Sequence, residues 1–370
     1  MARPGSVHEG FMRRALALAR KGSGRTSPNP AVGAVIVRGG QVIAGGWHRR
    51  AGLPHAEVEA LSKAPADLKR AVMFVTLEPC SHFGRTPPCV DAVIRSGIKK
   101  VVIGMKDPNP RVSGEGTRRL RAAGVKVASG VLEDECRALN EAYIKFITTG
   151  MPLVTLKLAS SLDGRIATAA GESKWITGLA ARRLVHKMRS SADAAVVGSG
   201  TVVKDDPELT VRHLKGRDPL RVVLDSRFGI PLSARVLRAG PGLRAPIVFT
   251  TRAASDKKMA EARKAGVEAV VVPASRDGVS LKRVLKELGR RGVTSVLLEG
   301  GGTLAASFLK AGLVDRFSLF IAPVIIGKEG RPSVGGLGLK RLKNAPLLDG
   351  ATVRRVDKDL LIEGRLEKRP

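Results

Sequence analysis

Aromatic residues, cysteines and long apolar runs are all scarce in this chain of 370 residues. No uncharged run is longer than the twelve residues 26–37, whereas a membrane-spanning helix needs about 20 predominantly apolar residues. The sequence therefore excludes a transmembrane protein. Three cysteines cannot form a disulfide framework in a chain of this length. A functional cysteine is therefore expected to bind a metal or to act as a nucleophile.

The first residues contain neither an apolar run nor a cleavage site for a secretory signal, so the sequence predicts a cytoplasmic protein. Hydrophobic residues make up 43% of the chain and the mean hydropathy is near zero, which is typical of a globular protein. At about 100–200 residues per domain, the length predicts two domains, each large enough to bury its own core.

Acidic residues are also in short supply, since 33 Asp and Glu face 64 Lys and Arg and give a net charge of +31. Such an excess is typical of nucleic-acid-binding proteins. Here it is spread evenly, with +12 in residues 1–150 and +19 in residues 151–370. Single-strand binders also stack bases on aromatic side chains, and the chain has only 9 Phe, 2 Trp and 1 Tyr. We therefore expect a basic surface that attracts an anionic small-molecule substrate, no specific nucleic-acid or membrane partner, and a homo-oligomer.

Strand-like apolar runs alternate with amphipathic helix-like runs, which predicts an α/β fold. In the first part the predicted strands are 32–37, 41–47, 72–77 and 100–104, and the predicted helices are 55–63, 89–96 and 116–123. In the second part the predicted strands are 153–158, 194–198, 221–225, 247–250, 269–273, 295–298 and 316–322, and the predicted helices are 179–189, 257–264, 281–288 and 303–310. An amphipathic stretch from residue 133 to about 147 precedes Gly150 and Pro152, which together predict a helix end. We place a linker at residues 148–152, between domains of residues 1–147 and 153–370.

One His and two Cys in the first domain have the pattern of a catalytic zinc site. His55 follows Pro54 and opens a predicted helix, Cys80 follows Pro79, and Cys89 follows Pro88. Three protein ligands leave the fourth position of a tetrahedral Zn²⁺ open for water. Glu57 lies two residues beyond His55, where a carboxylate can take a proton from that water and pass it to a leaving amine. This is the H-x-E…P-C…C signature of zinc deaminases, and it predicts one zinc ion per chain.

The alternative interpretation is structural: His55 would cap a helix, and the cysteines would be small buried residues. The ordered set of both prolines and the glutamate favours the catalytic interpretation. Cys136 lies in the amphipathic stretch and is expected to be structural. His48 and His82 lie near the motif without its spacing, so they are expected to be polar groups of the surface or the pocket.

The eight residues between Cys80 and Cys89 differ from the P-C-x-x-C spacing that is typical of nucleic-acid and nucleoside deaminases. The run T-L-E-P-C-S-H-F-G-R-T-P-P-C at 76–89, with S-P-N-P-A-V-G at 27–33 and D-P-N-P at 107–110, resembles the deaminase half of the bifunctional riboflavin-biosynthesis deaminase/reductases. The resemblance implies a cytidine-deaminase-like three-layer domain and a pyrimidinone substrate that bears a phosphoribosylamino group. It places Asn29 and the insert around the pocket, with Arg85 near the phosphate; for Arg85 a solvated surface arginine is the alternative.

The second domain has no G-x-G-x-x-G segment between a strand and a helix, so an ordinary Rossmann domain is not indicated. It has instead L-E-G-G-G-T at 298–303, a predicted strand end with three glycines before a predicted helix. Glycines there let backbone N–H groups and the helix N-terminus approach a phosphate. Taken alone, the same loop is equally compatible with a tight structural turn.

Three further motifs decide between these alternatives: K-L-A-S-S-L-D-G at 157–164, E-S-K-W-I-T at 172–177 and D-D-P-E-L-T-V-R at 205–212. They resemble the reductase half of the same family, whose fold is like that of dihydrofolate reductase. The resemblance covers about residues 1–325 and implies NADPH contacts from Ala159, Trp175, Thr201, Asp205, Ser226, Gly300, Gly301, Gly302 and Thr303. It implies contacts to the phosphorylated ribosylaminopyrimidine substrate from Ser173, Arg189, Leu209, Arg212 and Glu299. No site is assigned to residues 328–370, which are expected to finish the sheet and the surface.

The residue types suit reduction of a phosphorylated sugar. Arg189 and Arg212 can supply the forked donors that a phosphate dianion prefers. Reduction of the ribosyl carbon requires the glycosylamine to open to an imine, so a proton donor is needed beside it, and Asp205 is the candidate. The alternative for Asp205 is a turn with Asp206 and Pro207, and for Asp206 that turn role is preferred.

The resemblance implies a bifunctional enzyme with two successive reactions. The first deaminates 2,5-diamino-6-(5-phosphoribosylamino)pyrimidin-4-one to the uracil, and the second uses NADPH to reduce its ribosyl group to ribityl. One alternative is a deaminase of RNA or DNA bases with an appended nucleic-acid-binding domain. Another is a deaminase whose second domain only assembles subunits.

Overall fold

The computed structural model describes residues 4–83, 87–110 and 112–367. The chain divides between Gly150 and Met151 into two compact units. No helix among the described residues is long and apolar enough to cross a membrane.

The first unit is built on a mixed five-stranded sheet in the order β2-β1-β3-β4-β5. The β3–β4 and β4–β5 pairs are parallel, whereas β1 pairs antiparallel with β2 and β3. The strands are β1 (Gly33–Arg38), β2 (Gln41–Trp47), β3 (Val72–Leu77), β4 (Lys100–Met105) and β5 (Lys126–Ser129). The helices are α1 (Pro4–Arg20), α2 (Ala56–Leu61), α3 (Cys89–Arg95), α4 (Glu115–Ala122), α5 (Glu133–Leu139) and α6 (Glu141–Thr149).

Glycines on the two strands β1 and β2 show that helices cover both faces of this sheet. A Cβ on Gly33 would lie 2.1 Å from the Ala15 carbonyl oxygen of α1. A Cβ on Gly46 would lie 2.5 Å from the Ala60 nitrogen of α2. Gly46 pairs with Ala34, the neighbour of Gly33, so the two glycines face opposite sides of the sheet. The unit therefore has the expected three layers, with the apolar strands β1, β3 and β4 in the middle.

The amphipathic stretch predicted from residue 133 to about 147 forms two helices rather than one. The break falls at Asn140, whose side chain accepts a hydrogen bond from Ala31 N (2.8 Å) and donates one to Ala31 O (3.0 Å). Thr148 and Thr149, expected in the linker, belong to α6, and their hydroxyls donate to carbonyls one turn earlier. Gly150 adopts the left-handed conformation that ends this helix.

The second unit contains a nine-stranded sheet in the order β11-β10-β9-β8-β14-β6-β15-β18-β17. In that spatial order, the first seven strands, β11 through β15, pair in parallel with their neighbours. The strands β18 and β17 form an antiparallel hairpin that completes the other edge. The strands of the unit are β6 (Leu153–Ser161), β7 (Arg165–Ala167), β8 (Ala194–Gly198), β9 (Leu220–Leu224), β10 (Ile247–Thr250), β11 (Glu268–Val271), β12 (Ala274–Ser275), β13 (Gly278–Val279), β14 (Ser295–Leu298), β15 (Arg316–Ala322), β16 (Arg331–Pro332), β17 (Leu348–Val356) and β18 (Asp359–Leu366). Its helices are α7 (Leu179–Ser191), α8 (Ser199–Asp205), α9 (Asp256–Lys264), α10 (Leu281–Arg290) and α11 (Gly302–Lys310).

The strands β8 and β14 mark a switch point in this sheet. From β8 the chain continues through α8 to β9 on one side, and from β14 it continues through α11 to β15 on the other side. Connections that diverge in this way leave a crevice at the carboxyl ends of the two strands, where α/β proteins bind ligands. No individual element was predicted for α1, β5, β7, α8, β12, β13 or β16. Residues 328–370 were expected to finish the sheet, and β17 and β18 do so.

Candidate active sites

His55, Cys80 and Cys89 converge in the first unit, with their ligand atoms within 4.8 Å of one another. His55 Nδ1 lies 3.6 Å from Cys80 Sγ and 3.3 Å from Cys89 Sγ. Tetrahedral Zn²⁺, with Zn–N about 2.05 Å and Zn–S about 2.3 Å, separates nitrogen and sulfur by about 3.6 Å. The three side chains therefore fit one zinc ion.

Three separate elements supply these side chains. His55 occupies the N-cap position of α2 without a side-chain cap hydrogen bond, Cys80 follows β3, and Cys89 is the first residue of α3 directly after Pro88. The Cys89 N–H donates to Cys80 Sγ at 3.3 Å, which suits a thiolate at that position. Hydrogen bonds from Cys89 and His55 lower the pKa of Cys80 to about 4.

Glu57 lies on the first turn of α2 and is only 3% exposed. Burial raises the pKa of Glu57 to about 7, with a further contribution from the neighbouring Cys80. A bound divalent cation acts in the opposite direction, because positive charge favours the ionised carboxylate. Glu57 is thus a buried carboxyl group beside the three ligands, as general acid–base chemistry requires.

His48 and Asn29 form a hydrogen-bonded pair next to the ligands. The rings of His48 and His55 lie 5.0 Å apart, edge to face. His48 Nδ1 donates to the Pro54 carbonyl at 3.1 Å, so its Nε2 is left to accept from the Asn29 amide at 3.1 Å. This orientation leaves the amide oxygen of Asn29 available as an acceptor.

Cys136 lies away from this cluster, in the core beneath β4. A Cβ on Gly104 would come within 2.4 Å of its sulfur, so the thiol fills a close-packed position. Arg85, expected near the substrate phosphate, lies outside the described residues.

A cavity of about 520 Å³ opens at the switch point of the second unit. Its volume falls in the range of small-molecule sites. The residues expected to bind NADPH or substrate that line it are Ser173, Thr201, Asp205, Ser226, Gly301, Gly302 and Thr303. Ala159, Trp175 and Gly300 were also expected at NADPH but are not part of this lining. Trp175 is 66% exposed and is stacked by the Arg182 guanidinium, 4.2 Å from the ring centroid.

The three glycines at the start of α11, Gly300, Gly301 and Gly302, differ in the room that each leaves for a side chain. A Cβ on Gly300 would lie 2.7 Å from the Leu304 side chain, and one on Gly302 would lie 2.4 Å from the Pro332 carbonyl oxygen. Close packing against Leu304 and Pro332 thus explains why Gly300 and Gly302 carry no side chain. A Cβ on Gly301 would meet nothing closer than 3.9 Å, and Gly301 lines the cavity at the N-terminus of α11. An open helix N-terminus of this kind fits a pyrophosphate group.

Asp205 ends α8 at the wall of the cavity, and Ser173 Oγ lies 3.5 Å from its carboxylate. Asp206 is the left-handed residue after the helix and accepts a hydrogen bond from Arg235 N at 2.8 Å. The two acidic neighbours therefore have different environments: Asp205 is available to a ligand, and Asp206 builds the turn.

Glu299 and Arg189 form a buried, two-pronged ion pair. Arg189 Nε donates to Glu299 Oε1 at 2.6 Å and Nη2 donates to Oε2 at 3.0 Å. Arg189 Nη1 donates to the Thr210 carbonyl at 3.1 Å, and Lys157 Nζ lies 3.8 Å from Glu299. Burial raises the pKa of Glu299, but the charges of Arg189 and Lys157 outweigh it and keep the pKa below its usual value.

The residues 209–212 lie beside this pair. Leu209 is buried in the left-handed region at φ +57°, and Arg212 pairs with Glu208. Arg212 N donates to His186 Nδ1 at 3.0 Å. Burial lowers the pKa of Arg212, and the nearby charge of Arg189 lowers it further.

Sequence reasoning missed three residues of the second unit. Lys157 is a charge within an otherwise apolar strand, which is the signal that could have revealed it. Burial and the charge of Arg189 lower the pKa of His186 to about 4, so its ring is neutral and accepts from Arg212. Arg331, in the segment to which no site was assigned, lines the cavity.

Comparison with known proteins places both sites in one family. Residues 6–105 match the model of the cytidine and deoxycytidylate deaminase zinc-binding region, and residues 152–362 match that of the RibD C-terminal domain. The riboflavin biosynthesis protein RibD of Aquifex aeolicus is 44% identical over 357 residues, which cover 96% of this chain and 98% of that protein. The Escherichia coli K12 RibD is 40% identical over 367 residues, with 96% and 98% covered. The chain belongs to the RibD family.

Solved RibD structures agree with this assignment along nearly the whole chain. Acinetobacter baumannii RibD superimposes with a TM-score of 0.89 at 37% identity, covering 98% of this chain and 100% of that chain. A diaminohydroxyphosphoribosylaminopyrimidine deaminase/5-amino-6-(5-phosphoribosylamino)uracil reductase from Thermotoga maritima gives 0.86 at 42% identity, with the same coverage.

Membership of the RibD family confirms the class of enzyme expected from the motifs. The chain is a bifunctional deaminase and reductase of riboflavin biosynthesis, with a zinc-binding deaminase unit followed by a dihydrofolate-reductase-like unit. Its cofactors are Zn²⁺ in the first unit and NADPH in the second. The expected cofactors, fold class and order of domains are therefore confirmed.

Proposed function

We propose that the first unit deaminates 2,5-diamino-6-(5-phosphoribosylamino)pyrimidin-4-one and that the second unit reduces the resulting 5-amino-6-(5-phosphoribosylamino)uracil with NADPH. The observation that carries the proposal is the pairing of a zinc-sized His–Cys–Cys cluster in one unit with a nucleotide-sized cavity in the other. The activities named for the Thermotoga maritima protein support the choice of substrates.

In the deaminase unit, His55, Cys80 and Cys89 would hold Zn²⁺, which when bound lowers the pKa of a coordinated water and so supplies a nucleophile. Glu57 accepts the proton of the attacking water and passes it to the departing ammonia, so water replaces an amino group by a carbonyl. The buried position of Glu57 beside all three ligands supports this role. Asn29, held by His48, presents its amide oxygen to a donor on the pyrimidine.

In the reductase unit, NADPH supplies a hydride to the ribosyl carbon when bound. Thr201, Ser226, Gly301, Gly302 and Thr303 line the cavity that would hold it. Asp205 delivers the proton that opening of the glycosylamine requires, and Ser173 orients its carboxylate. The cofactor is also proposed to contact three residues outside the cavity lining: Ala159, Trp175 and Gly300.

The phosphate of the substrate is assigned to the basic cluster beside Glu299. Arg212 is partly exposed and can direct its fork outwards, whereas Arg189 is held by Glu299, and Lys157 beside the same carboxylate leaves the cluster positively charged. Leu209 fixes the loop that carries Arg212, because its side chain is buried. In the deaminase unit the corresponding phosphate contact is assigned to Arg85.

We further infer a cytoplasmic homo-oligomer with no specific nucleic-acid partner. The strand β17 is an edge of the sheet, and Val353 on it is 63% exposed. Residues 348–366, the hairpin of β17 and β18, carry four acidic and four basic residues in a chain of net charge +31. Two copies can therefore meet at this hairpin without the repulsion that the remaining basic surface imposes. Sedimentation velocity measures the assembly.

Substitution of one catalytic carboxylate in each unit tests the proposed chemistry. Glu57→Gln should reduce ammonia release about 10²- to 10⁴-fold, the usual contribution of a general acid–base, and leave NADPH oxidation with the supplied aminouracil unchanged. Asp205→Asn should do the reverse. Glu59→Gln, on the same helix but paired with Arg49 and Lys63 rather than placed beside the metal ligands, is the matched control.

Two outcomes would contradict the proposal. One is loss of both activities in folded Glu57→Gln, because a single site would then serve both reactions. The other is ammonia release from single-stranded oligonucleotides at physiological ionic strength, which would favour a nucleic-acid deaminase. Bound zinc is measured in parallel. Cys80→Ser should lose it, and Cys136→Ser should keep it.

A further inference from the structure

The two cysteines of the first unit are joined by a long irregular segment. Eight residues separate Cys80 from Cys89, and the described ones, 81–83 and 87–88, form neither helix nor strand. Two hydrogen bonds join its ends: Val90 N donates to the Cys80 carbonyl at 3.2 Å, and Cys89 N donates to Cys80 Sγ at 3.3 Å. A tetrahedral metal tolerates ligand shifts of only about 0.2 Å. A side chain that contacts both ends of the segment would therefore add to the control of the separation between the two thiolates.

Helix α4 is anchored to the residue that precedes Pro79 and Cys80. The carboxylate of Glu78 is 3% exposed and accepts hydrogen bonds from Gly114 N at 3.0 Å and Thr117 N at 2.8 Å. It also accepts one from Asp107 N at 3.2 Å. A buried carboxylate held by three backbone donors fixes the start of α4 relative to the end of β3.

Arg119, one turn further along α4, contacts both ends of the irregular segment. Its Nη1 donates to the carbonyl of Ser81, the residue after Cys80, at 2.8 Å. Its Nη2 donates to Asp91, two residues beyond Cys89 on α3, at 2.5 Å. The guanidinium is planar and rigid, so these two bonds set the distance between Ser81 and Asp91.

We propose that Arg119 is a positioning residue for the metal centre, which holds Cys80 and Cys89 at the separation that Zn²⁺ requires. The proposal rests on the ligand assignment made above. Glu78 fixes α4, α4 carries Arg119, and Arg119 holds the segments that bear the two thiolates. In a P-C-x-x-C motif one short turn holds the two cysteines at the ligand distance. Here, with eight residues between the cysteines, the contacts of Arg119 serve that purpose.

An ordinary surface ion pair is the competing explanation. Arg119 and Asp91 are 33% and 26% exposed, and pairs of this exposure contribute little to folding. If Arg119 and Asp91 formed only a surface ion pair, removal of the pair would leave zinc affinity unchanged. Outer-shell partners of metal ligands instead change affinity by about 10- to 100-fold when substituted.

The test compares zinc affinity in purified full-length variants by competition with a chromophoric chelator. Arg119→Met should weaken zinc binding about tenfold or more. Arg119→Lys should recover part of the loss, since an ammonium can reach one acceptor but cannot bridge both in a fixed plane. Arg118→Met is the matched control, because Arg118 lies on the same helix and pairs only with Glu115 in the described contacts. It should bind zinc as the unmodified protein does.

Cobalt substitution provides a readout that does not depend on activity. In the Co²⁺-loaded protein, the visible and thiolate charge-transfer bands report the geometry of the ligands. Arg119→Met should shift these bands, and Arg118→Met should not.

Unchanged zinc affinity and an unchanged Co²⁺ spectrum in folded Arg119→Met would overturn the proposal. Retention of one zinc ion per chain by Cys80→Ser would instead overturn the ligand assignment, so the two failures are distinguishable. Should Arg119→Met fail to fold, Asp91→Asn, which keeps the size of the side chain but removes its charge, is measured in the same way and is expected to weaken zinc binding.

Discussion

Replacement of Glu299 by Gln tests the electrostatic centre of the reductase unit. The side chains of Glu299, Arg189 and Lys157 are only 6%, 12% and 16% exposed, so the two cations depend on one carboxylate for compensation. Removal of one partner from a buried ion pair costs about 3–5 kcal/mol, because the remaining charge stays buried. Gln keeps the shape and one acceptor oxygen but turns an amide group towards the donors. We therefore expect a loss of about 3 kcal/mol.

In a unit of about this size, 1 kcal/mol corresponds to roughly 2–4 °C in Tm, so the expected decrease is about 6–12 °C. Differential scanning calorimetry of the full chain measures this decrease in Tm. The unfolding transition whose Tm rises when NADPH is added belongs to the reductase unit. Glu287→Gln is the control, because its partner Arg291 is about one-quarter exposed and the pair is worth about 1 kcal/mol or less.

Equal stability of Glu299→Gln and Glu287→Gln would refute this reasoning. The pH dependence provides an independent check. Since the pKa of Glu299 is lowered from its ordinary 4.5, its contribution to stability is complete above that pH and is lost as the pH falls further. Glu299→Gln should lack this part of the acid dependence, and the double variant with Arg189→Gln should recover part of the lost stability.

Two further predictions concern the α11 glycines and the hairpin. Gly301→Ala should raise the KM for NADPH without lowering Tm, since its Cβ enters the cavity and meets no atom closer than 3.9 Å; Gly302→Ala should lower Tm, since its Cβ would lie 2.4 Å from a carbonyl oxygen. A lower Tm for Gly301→Ala would contradict the first. Val353→Glu should shift sedimentation towards the monomer, whereas Val271→Glu, 46% exposed on the opposite edge strand, should not. Equal sedimentation of both variants would argue against the hairpin as interface.

The deaminase site was largely predictable from sequence because its chemistry is carried by short local patterns. His55 and Glu57 share one helical turn, and Pro79 and Pro88 directly precede the two cysteines. The contact between Arg119 and Asp91 was not predictable, since both residues resemble ordinary surface charges and lie on different helices.

The reductase site was harder to predict because its parts are far apart in sequence. Arg189 and Glu299 were each expected to contact substrate, but their 110-residue separation gives no local signal that they pair with each other. The three glycines at the start of α11 looked equivalent in sequence, and only packing partners such as Leu304 and Pro332 reveal which of them has room for a side chain. Arg331 reaches the cavity from β16, a strand of two residues that is too short to show a recognisable sequence pattern.

The position of β14 between β8 and β6 has a consequence for synthesis on the ribosome. All five strands of the deaminase sheet have been made by residue 129, whereas β6 cannot meet its neighbour until residues 295–298 emerge. If β8 to β11 pair before then as they do in the complete chain, the β8 edge of their parallel sheet is unpaired, the kind of edge that recruits other chains. A ribosome from which β11 has emerged and β14 has not would therefore carry a deaminase unit with every strand in place, tethered to an aggregation-prone half of a reductase.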